Sequence, residues 1–299
     1  MKIGIIPNIT KSNILDIVER IVAKLKSNDF EYFLSESLAV SFTELPLSIR
    51  DSNFLKHTDL FTESDFVISI GGDGTMLTTA YEARHFDTPI IGINFGKLGF
   101  LAELDDSNLD ELMKDLKENK YVIEERIALE AFRINDSTNK LYAINDIVID
   151  KGGWPKMIEL TVNVDDEYVT TFSADGIIIA TPTGSTGYSL STGGPIISPS
   201  ANVIALNPIS PHTLTMRPLI LDSNKRLTIT VNSLHSKIQI NCDGQRVHYF
   251  APPSTFEIYK SHTPIKLIHT KSTNYFEILR RKLYWGLDVR NNPNKKEEE

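Results

Sequence analysis

Three glycines and one carboxylate within four positions, Gly71-Gly72-Asp73-Gly74, with Thr75 after them, are the first residues in this sequence whose spacing suggests chemistry. They close an apolar, β-branched run, Asp65 to Ile70, and open an aliphatic, alanine-containing segment, which reads as buried strand, tight turn and helix. Glycine lets the backbone come close to a ligand, and the first N–H groups of a helix lack intrahelical partners, so the junction suits a phosphate. Asp73 does not belong in a simple phosphate cradle. A helix N-terminus stabilises an anion by only about 0.3–1 kcal/mol at an exposed site, too little to hold a carboxylate beside a polyphosphate. Either a magnesium ion bridges carboxylate and phosphates, or the carboxylate takes the proton of an acceptor hydroxyl, and both point to phosphoryl transfer. The structural alternative is that Asp73 caps the following helix.

A second constellation lies a hundred residues on. Asp175-Gly176 and the strand-like Ile177 to Ala180 lead into Thr181-Pro182-Thr183-Gly184-Ser185-Thr186-Gly187-Tyr188-Ser189-Leu190-Ser191-Thr192-Gly193-Gly194-Pro195. Hydroxyls among glycines can donate from side chain and backbone, and Tyr188 offers a flat face to a ring, which suits a nucleotide better than a flexible linker does. Asn145-Asp146 interrupts the apolar segment Leu141 to Ile149, where two polar groups need partners, either in the protein or on a ribose diol or adenine edge. Asp243-Gly244-Gln245 reads first as a hairpin turn. Gly92-Ile93-Asn94-Phe95-Gly96-Lys97-Leu98 is one residue short of a Walker loop and lacks its magnesium-binding hydroxyl, and it has no Rossmann glycine spacing. The seven histidines show no paired metal-ligand spacing.

The elements that must position these groups follow from periodicity. Lys2 to Ile6 is a strand, then Ser12 or Asn13 caps a helix carrying Ile14, Val18, Ile21 and Leu25. Ile90 to Asn94 is a further strand, and Ser107 with Asp110 forms a capping box before Leu109, Leu112, Met113 and Leu116. Alternating strands and helices imply an α/β N-terminal domain with a doubly wound parallel sheet over 1–120. From Tyr121 the texture turns to short β-rich runs, implying an all-β, sandwich-like C-terminal domain over 121–270. Tyr275 to Trp285 regains helical spacing, so 271–290 is expected to pack back on the N-terminal domain, with 291–299 a disordered tail.

Length is ample for two domains with real cores, and the single Cys242 excludes an internal disulfide framework and Cys-based zinc. The start lacks a signal-peptide pattern and no run is long enough to span a membrane, so a cytoplasmic protein is expected. The formal charge of −8, without clustered Lys and Arg, argues against nucleic acid as a partner.

Taken together in this order, Gly71-Gly72-Asp73-Gly74-Thr75, Gly92 to Leu101, Asn145-Asp146, Thr181 to Pro195, Pro208 to Pro218 and Asp243-Gly244-Gln245 resemble the NAD kinase family over nearly the whole chain. The resemblance implies phosphoryl transfer from ATP or polyphosphate, with Mg2+ or another divalent cation, to the 2′-hydroxyl of the adenosine ribose of NAD. It also implies an active site between the two domains. It makes Asp73 the catalytic carboxylate and Gly71, Gly72, Gly74 and Thr75 the receivers of the donor. For NAD it implies Asp73, Gly74, Leu77, Phe100, Asn145, Asp146, Asp175, Thr183, Thr186, Gly187, Tyr188, Ser191 and Asp243. No metal site is formed by protein alone. Gly187 stands where many members have alanine, and Pro7-Asn8 departs from the family's Asn-Pro order, so Asn8 receives no role. Homodimers or homotetramers are implied, without nucleic acid or membrane. The rival readings are a diacylglycerol- or sphingosine-type lipid kinase of the same superfamily and a non-catalytic NAD(P)-binding sensor; a hydride-transfer enzyme lacks its fingerprint.

Overall fold

The computed structural model describes residues 1–96, 99–270 and 274–284. Lys97, Leu98 and the expected helix end and tail beyond Tyr284 lie outside the described residues. The chain divides into two compact units, Met1–Glu124 with the residues from Lys266 onward, and Glu125–Ile265.

In the first unit seven strands lie in the order Phe54–Leu55, Glu31–Ser35, Lys2–Pro7, Phe66–Ile70, Ile90–Ile93, Ile265–Thr270, Tyr121–Arg126. The first six pair in parallel. Phe66–Ile70 is buried along its whole length between two parallel neighbours, which is why its sequence is a continuous apolar run and not an alternation. Strand order reverses between Lys2–Pro7 and Phe66–Ile70, so the carboxyl ends of these two strands form the topological switch point where open α/β sheets take ligands. The Gly71 turn and Asn8 both emerge there. The core behind them joins Ile3, Ile5, Ile68 and Ile70 of the sheet to Ile14, Val18, Ile21 and Leu25 of the helix Ile14–Ser27.

The second unit holds two six-stranded antiparallel sheets, one ordered Glu167–Ala174, Ile158–Val164, Leu227–Asn232, Ser254–Lys260, Leu129–Arg133, Asp136–Ala143. The other runs Leu219–Asp222, Val203–Ile209, Gly176–Ala180, Asp146–Asp150, Ile238–Cys242, Arg246–Phe250. Alternating residues of both, such as Ile158, Leu160 and Val162 from one and Ile147, Ile149, Ile177 and Ile179 from the other, make one shared core, the mark of a sandwich. The other face of Gly176–Ala180 is also covered, Ile178 and Ala180 packing with Ile197. This strand is therefore apolar at every position.

Three local expectations need correction. Ser107 and Asp110 form no capping box: Ser107 donates its N–H and hydroxyl to Asp105 Oδ1 at 2.9 and 2.5 Å, a tight Asp-centred turn that draws 106–108 into a 3-10 helix and delays the α-helix to Leu109. Asn13 precedes the helix Ile14–Ser27 without a side-chain cap. The β-rich texture also misplaces its own edges, because Tyr121–Arg126 and Ile265–Thr270 are strands of the first sheet, so the expected limits at 121 and 270 fall within that sheet. Strand propensity does not say which sheet a strand joins. No helix among the described residues is long and apolar enough to cross a membrane.

Phe256 is fully buried in the shared core, its ring meeting Phe250 edge-on at 5.0 Å. Phe256→Ala is expected to destabilise the second unit by about 3–5 kcal/mol. Hydrogen exchange would read this as faster opening of the Leu227–Asn232 amides than of those in Phe66–Ile70.

Candidate active site

The first-unit site is built on the turn after Phe66–Ile70. Gly71 donates its N–H to Ile93 O at 2.9 Å, and a Cβ there would stand 2.2 Å from Thr75 Oγ1, so only glycine admits this closeness. Gly72 is the N-cap of the helix Asp73–Ala83 and Asp73 its first residue. Asp73 does not cap its own helix. Its carboxylate accepts from three consecutive backbone N–H groups, Phe100 at 2.9 Å, Leu101 at 2.9 Å and Ala102 at 3.1 Å. A Cβ on Gly99 would lie 1.9 Å from Asp73 Oδ1, which makes that glycine a condition of the cradle. Lys282 Nζ stands 3.5 Å from Asp73 Oδ2. The charge balance sought for Asp73 thus comes from protein N–H groups and an ammonium.

Asn8, to which the sequence assigned no role, donates from Nδ2 to Thr75 Oγ1 at 3.1 Å and accepts from Thr10 N and Oγ1 at 3.0 and 2.7 Å. Lys11 donates to Asn94 Oδ1 at 3.2 Å, while Asn94 Nδ2 lies 3.7 Å from where a Gly72 Cβ would be. A cation does stand near the glycine turn, supplied from the neighbouring strand end and not from within the motif. Leu77 is buried and Phe100 half-buried.

In the second unit, the hairpin Asp243-Gly244 forms with left-handed φ of 56° and 70°, as the turn reading expects. The Asp243 side chain does more than turn the chain. It accepts from the N–H groups of Ile144, Asn145 and Asp146 at 2.9, 2.6 and 3.3 Å and from Arg246 at 2.5 Å. This fixes Asn145-Asp146 at the start of Asp146–Asp150. Asn145 Oδ1 is buried with no hydrogen-bond partner among the described residues, an acceptor waiting for a donor. Burial, then the charge of Asp243, pushes the Asp146 carboxyl up to about 7. Burial raises Asp243 as well, opposed by its N–H donors and Arg246, so the proton belongs on Asp146.

The hydroxyl-rich loop divides into two sets. Thr181 Oγ1 donates to Ile144 O at 2.6 Å and accepts from Gly184 N at 3.1 Å; Ser185 Oγ donates to Pro182 O at 2.6 Å and accepts from Ile197 N at 3.0 Å; Ser189 Oγ accepts from Asn207. These groups hold the loop rigid as the turns Thr183–Thr186 and Tyr188–Ser191. Thr183 is buried, Thr186 half-buried and donating to Thr183 O, and Tyr188 and Ser191 are exposed. Tyr188 stands among carboxylates: its phenol is raised by burial and by the charges of Asp150, Asp146 and Asp175. Asp175 pairs with Lys151 at 2.6 Å. A Cβ at Gly187 would meet Gly184 O at 3.3 Å and nothing closer, so an alanine there needs only a small shift. Asn8, Lys11, Arg246 and Lys282 are the polar partners the sequence did not disclose; Asn8, Lys11 and Lys282 come in by long-range contacts and Arg246 across the hairpin from Asp243.

The sequence profile of the ATP-NAD kinase N-terminal domain matches residues 3–121 and that of the ATP-NAD kinase C-terminal domain residues 144–270. The NAD kinase of Thermoanaerobacter sp. (strain X514) is 38% identical over 284 residues, covering 94% of this chain and 98% of that protein. The NAD kinase of Prosthecochloris aestuarii is 39% identical over 287 residues, covering 96% and 98%. The chain belongs to the NAD kinase family. As an NAD kinase it is a phosphotransferase, which sets aside the lipid-kinase and sensor readings. An Archaeoglobus fulgidus NAD kinase in complex with ATP superposes with a TM-score of 0.74 at 26% identity, over 95% of this chain and 99% of that one. Yeast NADH kinase complexed with NADH shares the fold, with a TM-score of 0.83 at 23% identity over 98% and 90%.

The Asp146 carboxyl gives this NAD kinase a testable pH dependence. Its folded pKa of about 7 lies above its ordinary value of 3.8, so its stability contribution is whole below pH 4 and is lost as pH rises through 7. Asp146→Asn is expected to remove a slope of up to about 1.4 kcal/mol per pH unit over that window. Urea unfolding of both proteins at pH 5, 6, 7 and 8 would show a gap widening toward pH 7 and then constant.

Proposed function

We propose that this NAD kinase transfers the terminal phosphoryl group of ATP, or of a polyphosphate, to the 2′-hydroxyl of the adenosine ribose of NAD, with Asp73 as the carboxylate facing that hydroxyl. The observation that carries the reading is the placement of Asp73: a carboxylate held in one orientation by three N–H groups, at a glycine turn on the switch point of a parallel sheet. The donor's phosphates would lie along Gly71, Gly72, Gly74 and Thr75. Leu77 and Phe100 would border the adenine. Asn145, Asp146, Asp175, Thr183, Thr186, Gly187, Tyr188, Ser191 and Asp243 would hold the rest of NAD, directly or, for Asp243, by fixing Asn145 and Asp146. The orphaned Asn145 Oδ1 supports this, since a nucleotide amino group or ribose hydroxyl supplies the donor it lacks.

Transfer of this kind needs in-line positioning and charge neutralisation more than covalent help. A divalent cation would arrive on the donor's phosphates, with Asp73 the one acidic side chain of the turn able to reach it. When bound, it neutralises phosphate charge. Assembly into a homodimer or homotetramer through the second unit is also proposed, on the exposed Val247 and Tyr249 and the exposed Leu219 and Ile220 of its two edge strands. A cytoplasmic location fits these substrates.

Incubation with NAD, ATP and magnesium, with product read by an enzyme that accepts only NADP, tests the reaction. Asp73→Asn should lower kcat by about 10²–10⁴ with little change in NAD affinity. A collapse of affinity with turnover intact would make Asp73 a binding group. Tyr188→Ala should raise the NAD dissociation constant about tenfold or more, as loss of one stacked ring does; an unchanged constant in equilibrium titration would remove the stacking contact.

A further inference from the structure

The last helix, Tyr275–Leu283, lies some two hundred residues from the glycine turn, yet it delivers a charge to it. Its anchoring needs no help from that charge. Asn274 caps it, accepting from Phe276 N at 3.1 Å and Glu277 N at 3.2 Å; Ile278 and Leu279 are buried; Arg281 pairs with Glu277 at 2.7 Å. One turn beyond Ile278, Lys282 reaches Asp73 Oδ2 at 3.5 Å and stands 4.9 Å from the centroid of the Phe100 ring. Phe100 is the residue whose N–H donates to the same oxygen of Asp73. The ammonium therefore closes a triangle with the carboxylate and the loop that cradles it.

We propose that Lys282 is a positioning residue for phosphoryl transfer, the fixed counter-charge that holds Asp73 and the Phe100 segment in register when a polyphosphate enters. The proposal rests on the reading of Asp73 given above. The bland account of Lys282 is that Arg280, Arg281 and Lys282 complement the helix dipole at the last turn. That account requires a positive charge but no particular partner, whereas here the partner is the one acidic side chain of the glycine turn. Side-chain exposures of 31% for Lys282 and 32% for Asp73 leave the pair only partly screened by water. A polyanion arriving at the turn would repel an uncompensated carboxylate, and the geometry needed for in-line attack tolerates little displacement.

Steady-state kinetics of the full chain test it with four variants: Lys282→Met, Lys282→Arg, Asp73→Asn and Asp73→Asn with Lys282→Met. Lys282→Met is expected to lower kcat roughly 10- to 100-fold with the NAD KM changed less than about threefold and the melting temperature unmoved. Lys282→Arg should recover kcat to within about fivefold, and in the Asp73→Asn background Lys282→Met should change kcat less than about twofold. Wild-type kcat in Lys282→Met overturns the proposal. So does an equal loss in both backgrounds, or a loss that arginine does not restore and that accompanies a lowered melting temperature, which marks a helix-docking residue only. If Asp73→Asn itself keeps full turnover, the reading of Asp73 fails first; if Asp73→Asn loses turnover and Lys282→Met does not, only the role of Lys282 fails.

Discussion

A carboxylate caught by consecutive backbone N–H groups from a distant loop is the interaction that organises the polar cluster of each unit. Asp73 is held by the amides of residues 100–102, and Asp243 by those of residues 144–146. Each is backed by one cation, Lys282 or Arg246. The device answers a charge problem. The protein carries a formal charge of −8, and two unit charges 5 Å apart repel by about 3 kcal/mol at an effective dielectric of 20, so a carboxylate fixed beside other acidic groups or an anion needs compensation. Backbone N–H donors compensate a carboxylate without adding a mobile side chain, and they bind the loop that carries them at the same time.

The two captures are not equivalent. Asp73 remains partly exposed at the helix start. Asp243 is buried, and the burial of the neighbouring Asp146, with the charge of Asp243 adding to it, pushes the Asp146 carboxyl up to about 7. One carboxylate is thus left partly open to solvent while the other is closed off and raises its neighbour. A protonated Asp146 can donate, and Asn145 Oδ1 beside it can only accept, so the pair offers a ligand edge both polarities.

What the sequence discloses follows the range of the interaction concerned. The strand Phe66–Ile70, its glycine turn and the helix after it were legible because apolar run, turn and aliphatic, alanine-containing segment all lie within twenty residues. The sandwich was legible from its short β-rich runs, but its limits were not: Tyr121–Arg126 and Ile265–Thr270 look like any other strands, and only pairing assigns them to the first sheet. Asn8 was passed over because its meaning depends on Thr75, sixty-seven positions away, and Lys282 because its local setting is that of a basic last turn. Asp243-Gly244 shows the converse. Its hairpin reading is correct, and the local signal was so complete that the side chain's second task had no separate trace.

The glycine and hydroxyl loop clarifies why such segments resist interpretation from composition. Thr181, Ser185 and Ser189 look identical in kind to the exposed Ser191, yet the first three direct their hydroxyls to buried protein partners. Satisfying them internally removes the loop's freedom before any ligand binds, and a pre-ordered loop loses less entropy on binding than a flexible one of the same composition. Gly184 is part of that order, since a Cβ there would lie 2.0 Å from Asn145 O, so the loop and the Asn145-Asp146 pair are packed backbone to backbone. The residues left open, Tyr188 and Ser191, owe their fixed placement to the ones that are closed, and a linker of equal hydroxyl content without those inward bonds would present the same groups in no fixed direction.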